Sequence, residues 1–142
     1  VETSSNLASV QSTDGEVTIV SSQRSSVMSN LRNMANAVKA CFELAGAEVI
    51  QNDGYPAWKM KAHSELQKIA IEEYKKLFGH EPKVLGIHAG LECGLFSEKY
   101  PDLDMISFGP TLRFVHTPDE RLLIPTVQMV WDHLLAILKN ID

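Results

Sequence analysis

The chain has 142 residues, 44% of them apolar, enough to bury a core as one domain or two small ones. Its 13 basic and 18 acidic side chains leave a net charge of −5, and no basic stripe of the kind nucleic acid requires is present. No apolar run approaches the ~18 residues of a membrane span, the start carries no signal-peptide pattern, and two cysteines are too few for a disulfide framework or a zinc knuckle. The expected setting is therefore the reducing cytoplasm, with no nucleic-acid and no membrane partner. Because the sequence opens on Val1 and not on methionine, it is expected to be a piece of a longer chain.

Residues 6–24 read as a β-hairpin, NLASVQS and EVTIVSSQR around the turn residues Asp14-Gly15. From Val27 to Ala45 the period becomes helical: Val27, Leu31, Met34, Ala35, Val38, Cys41, Phe42 and Ala45 share one face. Ser25 or Ser26 is expected to cap this helix and Gly46 to close it. AEVIQ (47–51) reads as a returning strand, which completes a ββαβ unit.

Asn52-Asp53-Gly54 and Pro56 mark a boundary. A second helix follows, with a capping-box pattern at Ser64 and Gln67, an apolar side of Leu66, Ile69, Ala70, Tyr74, Leu77 and Phe78, and a stop at Gly79. VLGIH (84–88) and DMISFG (104–109) read as short buried strands around a helical or looped piece near 91–99. The last helix starts near Pro125 and is expected to bury Val127, Val130, Trp131, Leu134, Leu138 and Ile141. Two helices and two strands are few for a self-contained α/β core, and each half resembles part of something larger.

The residues suggest chemistry at three places, each with a plainer reading beside it. His116 stands in GPTLRFVHTPDERLLIP, ahead of an acidic pair and a long helix. Loops at strand ends of open α/β sheets are where ligands bind, so His116 is either a metal ligand or an ordinary loop histidine. Asp119 and Glu120 read either as partners that orient such a ligand or as favourable charge at the start of the final helix. Arg24, between a strand and a helix start, suits either a bidentate grip on a carboxylate or a surface ion pair.

The loop HAGLECG (88–94) places Glu92 and Cys93 between Gly90 and Gly94. Its glycines allow close backbone approach to a ligand, or serve a plain turn with a buried Cys93. His63, His80 and His133 read as solvated, His88 as hydrogen-bonded and partly buried, and Cys41 as core. No H-E-x-x-H, G-x-S-x-G, P-loop or C-x-x-C occurs.

HAGLECGLFSEKYPDLDMISFGP followed by HTPDE resembles the C-terminal end of the aminoacyl-histidine (Xaa-His) dipeptidases, carnosinase-like members of the aminoacylase and carboxypeptidase group of dinuclear zinc peptidases. AGAEVIQNDGYPAWKMKAHSEL and VSSQRSS extend the likeness over nearly the whole chain. The resemblance implies an α/β fold in two parts. Residues 1–58 would be the second half of a ferredoxin-like lid that also dimerises. Residues 59–142 would be the C-terminal part of the zinc-peptidase catalytic domain.

The resemblance further implies that His116 is the last metal ligand, that Arg24 grips the substrate's terminal carboxylate, and that Gly90 and Gly94 line the same pocket. No catalytic residue falls in this chain. The implied cofactor is two zinc ions in the complete enzyme, held weakly or not at all by this piece. The partners are a dipeptide substrate and a second copy through the lid. The piece alone is expected to be inactive. Other readings are a free-standing interaction module derived from the lid, or a related N-acyl amino acid deacylase. One departure stands out: relatives place small residues before the ligand histidine and serine after it, whereas Phe114-Val115 and Thr117 stand here.

Overall fold

The computed structural model describes residues 1–52, 54–87 and 92–141. They form a mixed α/β structure that divides into two compact units, Val1–Met60 with Leu85–Leu103 and Lys61–Val84 with Asp104–Asp142.

The first unit begins with the expected hairpin. Strand β1 (Thr3–Thr13) pairs antiparallel with β2 (Glu16–Ser25) around the Asp14-Gly15 turn, where Gly15 takes φ +92°. The register shifts between Leu7 and Ser9, so Ala8 is an extra residue on β1. This β-bulge lets Leu7 and Val10 lie on the same face as Val17 and Ile19, although an unbroken strand would send residues three apart to opposite faces. All four side chains are exposed. Arg24, opposite Ser4, falls on the other face of the ribbon.

Helix α1 (Met28–Leu44) packs against both strands. Leu31, Met34, Ala35, Val38 and Phe42 are half-buried as the periodicity requires, while Cys41 and Ala45 are exposed. Gly46 closes the helix at φ +83°. Its amide bonds the Glu43 carbonyl and the Ala47 amide bonds the Phe42 carbonyl, the paired bonds of a Schellman motif. Neither Ser25 nor Ser26 caps the start. The N-cap is Val27, without a side-chain cap, because the buried Ser25 hydroxyl accepts from the Val27 amide (3.0 Å) and pairs with Thr3 Oγ1 (2.9 Å). Helix α3 (Glu92–Lys99) belongs to the same unit.

In the second unit, α2 (Glu65–Phe78) has the caps read from its sequence. Ser64 accepts from the Gln67 amide at 2.9 Å, and Gly79 ends the helix at φ +74°. Helix α4 (Pro125–Leu138) packs on α2. Its inward face carries the buried His133 and Ile137 with half-buried Val130 and Leu134, whereas Val127, Trp131, Leu138 and Ile141 point outward. An α-helix apolar on all sides gives its periodicity no single face to select. His133 is not solvated: its Nε2 donates to the Ala70 carbonyl at 2.8 Å, and its ring lies between Tyr74 and Phe108, with centroids 5.3 and 5.0 Å away.

Asp104 reaches the α2 N-terminus from 38 residues downstream, and its Oδ2 accepts from the Leu66 amide at 3.1 Å. Oδ1 is buried without a normal hydrogen-bond partner among the described residues. Burial pushes this carboxyl up, but the Ser64 hydroxyl, the Leu66 and Met105 amides and the Lys61 charge together hold it below its usual range. A depressed carboxyl stabilises the fold above its unfolded pKa of ~3.9 and loses that contribution as pH falls through the folded value. Asp104→Ala is therefore expected to lose about 0.5–2 kcal/mol at pH 7, the range of a helix cap. Urea midpoints should show that deficit shrinking as the medium is acidified below pH ~4.

Three expected strands are absent. Residues 47–51, 84–87 and 104–109 run without regular structure, and no partner strand pairs with them among the described residues; residue 88 lies outside those residues. A β-strand is made by its ladder neighbour, and an apolar run without one stays irregular. Val84, Leu85, Ile87 and Phe108 are accordingly exposed. The second sheet is instead a pair of two-residue strands, β3 (Leu112–Arg113) and β4 (Arg121–Leu122), which the sequence reading did not contain.

Candidate functional site

His116 sits in the loop 114–120 at the tip of the β3–β4 hairpin, where Leu112 pairs with Leu122 and Arg113 with Arg121. The base of the hairpin is tied to the start of α4. The Leu123 amide bonds the Thr111 carbonyl (2.9 Å), the Thr111 amide bonds Thr126 Oγ1 (2.9 Å), and that hydroxyl donates to the Leu123 carbonyl (2.7 Å). The loop that carries His116 is thus anchored to a helix terminus.

The loop is strained. Phe114 (φ +55°) and His116 (φ +65°) are both left-handed, a region that costs a residue with a Cβ roughly 1–2 kcal/mol. Local bonds offset this. Thr117 donates its amide (3.2 Å) and its hydroxyl (2.7 Å) to the Phe114 carbonyl, and the Glu120 amide bonds the Thr117 carbonyl at 3.1 Å. The Asp119 amide bonds the Thr117 hydroxyl at 3.3 Å, and the His116 amide donates to Glu120 Oε2 at 2.8 Å. The Arg121 guanidinium lies over the Phe114 ring, 5.8 Å from its centroid.

The imidazole of His116 is exposed, and no group pairs with it among the described residues. Neither acid serves the final helix, whose first turn holds no acidic residue. Glu120 bonds the backbone of His116 and not its ring. The Asp119 carboxylate makes no bond among the described residues.

Arg24 lies in the other unit, exposed near the end of β2 and four residues ahead of α1. Among the described residues no carboxylate pairs with its guanidinium. The backbone beside it is fixed by Ser25 and by a bond from the Ser26 amide to the Glu2 carbonyl (3.1 Å). The start of α1 has no side-chain cap and no acidic residue of its own in the first turn, and the Glu2 carboxylate lies beside it, accepting from the Asn30 side-chain amide at 2.6 Å.

Gly94 is not in a loop. It lies buried within α3, and a Cβ there would collide with the backbone carbonyl oxygen of Pro56. Its lack of a side chain is explained by this close approach of chain to chain. Cys93 beside it is half-buried, and burial pushes its thiol up, with Glu92 adding to the effect. Gly90 and His88 lie outside the described residues.

Along 141 residues, 99% of its length, the chain is 40% identical to the cytosol non-specific dipeptidase of Escherichia coli (strain K12). The crystal structure of aminoacylhistidine dipeptidase from Vibrio alginolyticus covers all of it at TM-score 0.79 and 43% identity. The chain is homologous to dipeptidases. It spans 29% of the length of each of these two relatives. No family model matches it.

A peptidase metal centre takes three or four protein donors. Among the described residues no cluster of three His, Cys, Asp or Glu side chains is placed to hold an ion. The unpaired imidazole of His116 fits one ligand of such a centre, and the described residues do not complete a set of three around it. No helix among them is long and apolar enough to cross a membrane.

The sequence reading missed the hairpin around His116 and its two left-handed residues. Leu112-Arg113 and Arg121-Leu122 flank the loop symmetrically, but two-residue strands are too short to show a period. Nothing in Phe114 signals a positive φ.

Proposed function

We infer that this chain is the C-terminal part of a zinc-dependent Xaa-His dipeptidase that cleaves dipeptides in the cytoplasm and is inactive without the rest of the enzyme. The observation that carries this is the alignment of the whole chain, at 43% identity and TM-score 0.79, with 29% of an aminoacylhistidine dipeptidase. The exposed Val84, Leu85, Ile87 and Phe108 support it, since a parallel sheet elsewhere in the enzyme would supply the missing neighbours of their segments. In this reading residues 1–58 belong to the lid and 59–142 to the catalytic domain.

His116 holds one of two zinc ions through a neutral imidazole. The bound zinc pair supplies Lewis-acid polarisation and an activated water. Arg24 receives the substrate's terminal carboxylate, and so restricts the enzyme to short peptides. Gly90 belongs to the same pocket, and Gly94 supports it by seating α3 on Pro56. Leu7, Val10, Val17 and Ile19 form the apolar face through which two lids pair.

The test is hydrolysis by the full-length protein of β-Ala-His against N-acetyl amino acids. Faster cleavage of the dipeptide is expected, and a preference for the acylated amino acid would replace this reading with a deacylase. Arg24→Ala is expected to raise KM by about 10- to 100-fold, as loss of a charge-assisted bond worth ~1.5–3 kcal/mol should, with kcat little changed. Unchanged steady-state kinetics would remove Arg24 from the pocket.

A further inference from the structure

We propose that Glu120 is the positioning residue for His116: by accepting the His116 amide proton, its carboxylate holds that residue in the left-handed conformation from which the imidazole reaches a metal. The proposal rests on the reading of His116 as a ligand and adds the group that sets its direction. The Cα–Cβ bond of His116 is aimed by its backbone, so a change of φ redirects the stem from which χ1 and χ2 place the ring. Metal–ligand distances tolerate only about ±0.2 Å.

The geometry singles out Glu120. The Phe114 turn is accounted for by Thr117, whose amide and hydroxyl both go to the Phe114 carbonyl at 3.2 and 2.7 Å. The amide of His116 takes no part in that turn and goes to Glu120 Oε2 at 2.8 Å. Glu120 delivers its carboxylate from a backbone that is itself fixed, because its own amide is tied to the Thr117 carbonyl at 3.1 Å. A residue at φ +65° persists only where its surroundings over-determine it, and this bond is the one made to His116 itself. The adjacent acid differs: Asp119 contributes only its backbone amide, to the Thr117 hydroxyl.

The test compares Glu120→Ala, Glu120→Gln, Asp119→Ala and His116→Ala in the full-length protein. Zinc content after dialysis, kcat and KM are read for each, and the amide resonance of His116 under selective 15N-histidine labelling for the three that keep the histidine. Glu120→Ala should bind zinc about 10–100-fold more weakly, the usual cost of losing a group that orients a ligand. Its kcat should fall with little change in KM, and the His116 amide resonance should move upfield. Glu120→Gln keeps an acceptor oxygen and should recover most of the zinc and the rate. Asp119→Ala removes the same charge from the same loop and should behave as the parent.

Wild-type zinc retention in Glu120→Ala, with zinc lost in His116→Ala, would overturn the positioning role alone. Equal damage from Glu120→Gln and Glu120→Ala would mean that the carboxylate charge acts directly, and would overturn it too. Full zinc content in His116→Ala would instead overturn the ligand assignment beneath it.

Discussion

His116→Ala in the full-length enzyme is expected to remove one equivalent of bound zinc and to lower kcat by more than about 100-fold. That exceeds the 10–100-fold that loss of an outer partner costs, because the ligand itself is gone. Metal analysis after dialysis and steady-state rates are the measurements. The side chain is exposed on a hairpin tip, so the fold has little to lose with the ring. The backbone is a separate matter, since φ is +65° at this position. His116→Asn controls for it, because asparagine tolerates left-handed geometry far better than alanine while lacking the imidazole. Both variants should lose the same zinc. Retention of two equivalents by either would end the assignment of His116 as a ligand.

Gly94→Ala is expected to destabilise the protein by about 1–3 kcal/mol, the cost of forcing an extra methyl into a filled space. The obstacle is the Pro56 carbonyl oxygen, with the carbonyl carbon next at 3.3 Å and the ring Cγ at 3.6 Å. A flexible side chain could step aside, but a peptide group moves only with its chain. Pro56→Ala combined with Gly94→Ala should therefore not restore stability, since every residue type carries that carbonyl. Urea denaturation of the single and double variants decides it. A Gly94→Ala protein with an unchanged midpoint would show that α3 does not sit against Pro56.

The sequence was most informative where local chemistry alone decides the outcome. The Asp14-Gly15 turn, the Gly46 and Gly79 stops and the Ser64–Gln67 cap depend on residues within a few positions of one another, and all appear as read. It misled where an outcome depends on distant neighbours. AEVIQ, VLGIH and DMISFG have the composition of strands, but composition does not supply a ladder partner. His133 looked solvated because only the fold brings Ala70 and Phe108 to it. Cys41 sits at the edge of the α1 stripe, and spacing could not show that the hairpin leaves it uncovered. Arg24 and His116 were both singled out from their types and settings. The bond that ties Glu120 to the His116 amide needed coordinates, because H-T-P-D-E does not show which of the two acids turns back.

The extra residue at Ala8 works as a phase shifter between two halves of one strand. Residues 3–7 and 9–13 of β1 each alternate correctly, yet the two alternations are out of step by one, and both point their larger apolar groups to the same side only because of that insertion. Deleting Ala8 would leave every remaining side chain chemically intact and still break the row: Leu7 would turn toward the Arg24 side, or the pairing beyond it would slide along β2. A single in-frame codon loss at this point is thus a change of surface pattern and not of composition, and the apolar face and the arginine face of the ribbon would exchange a member without any substitution.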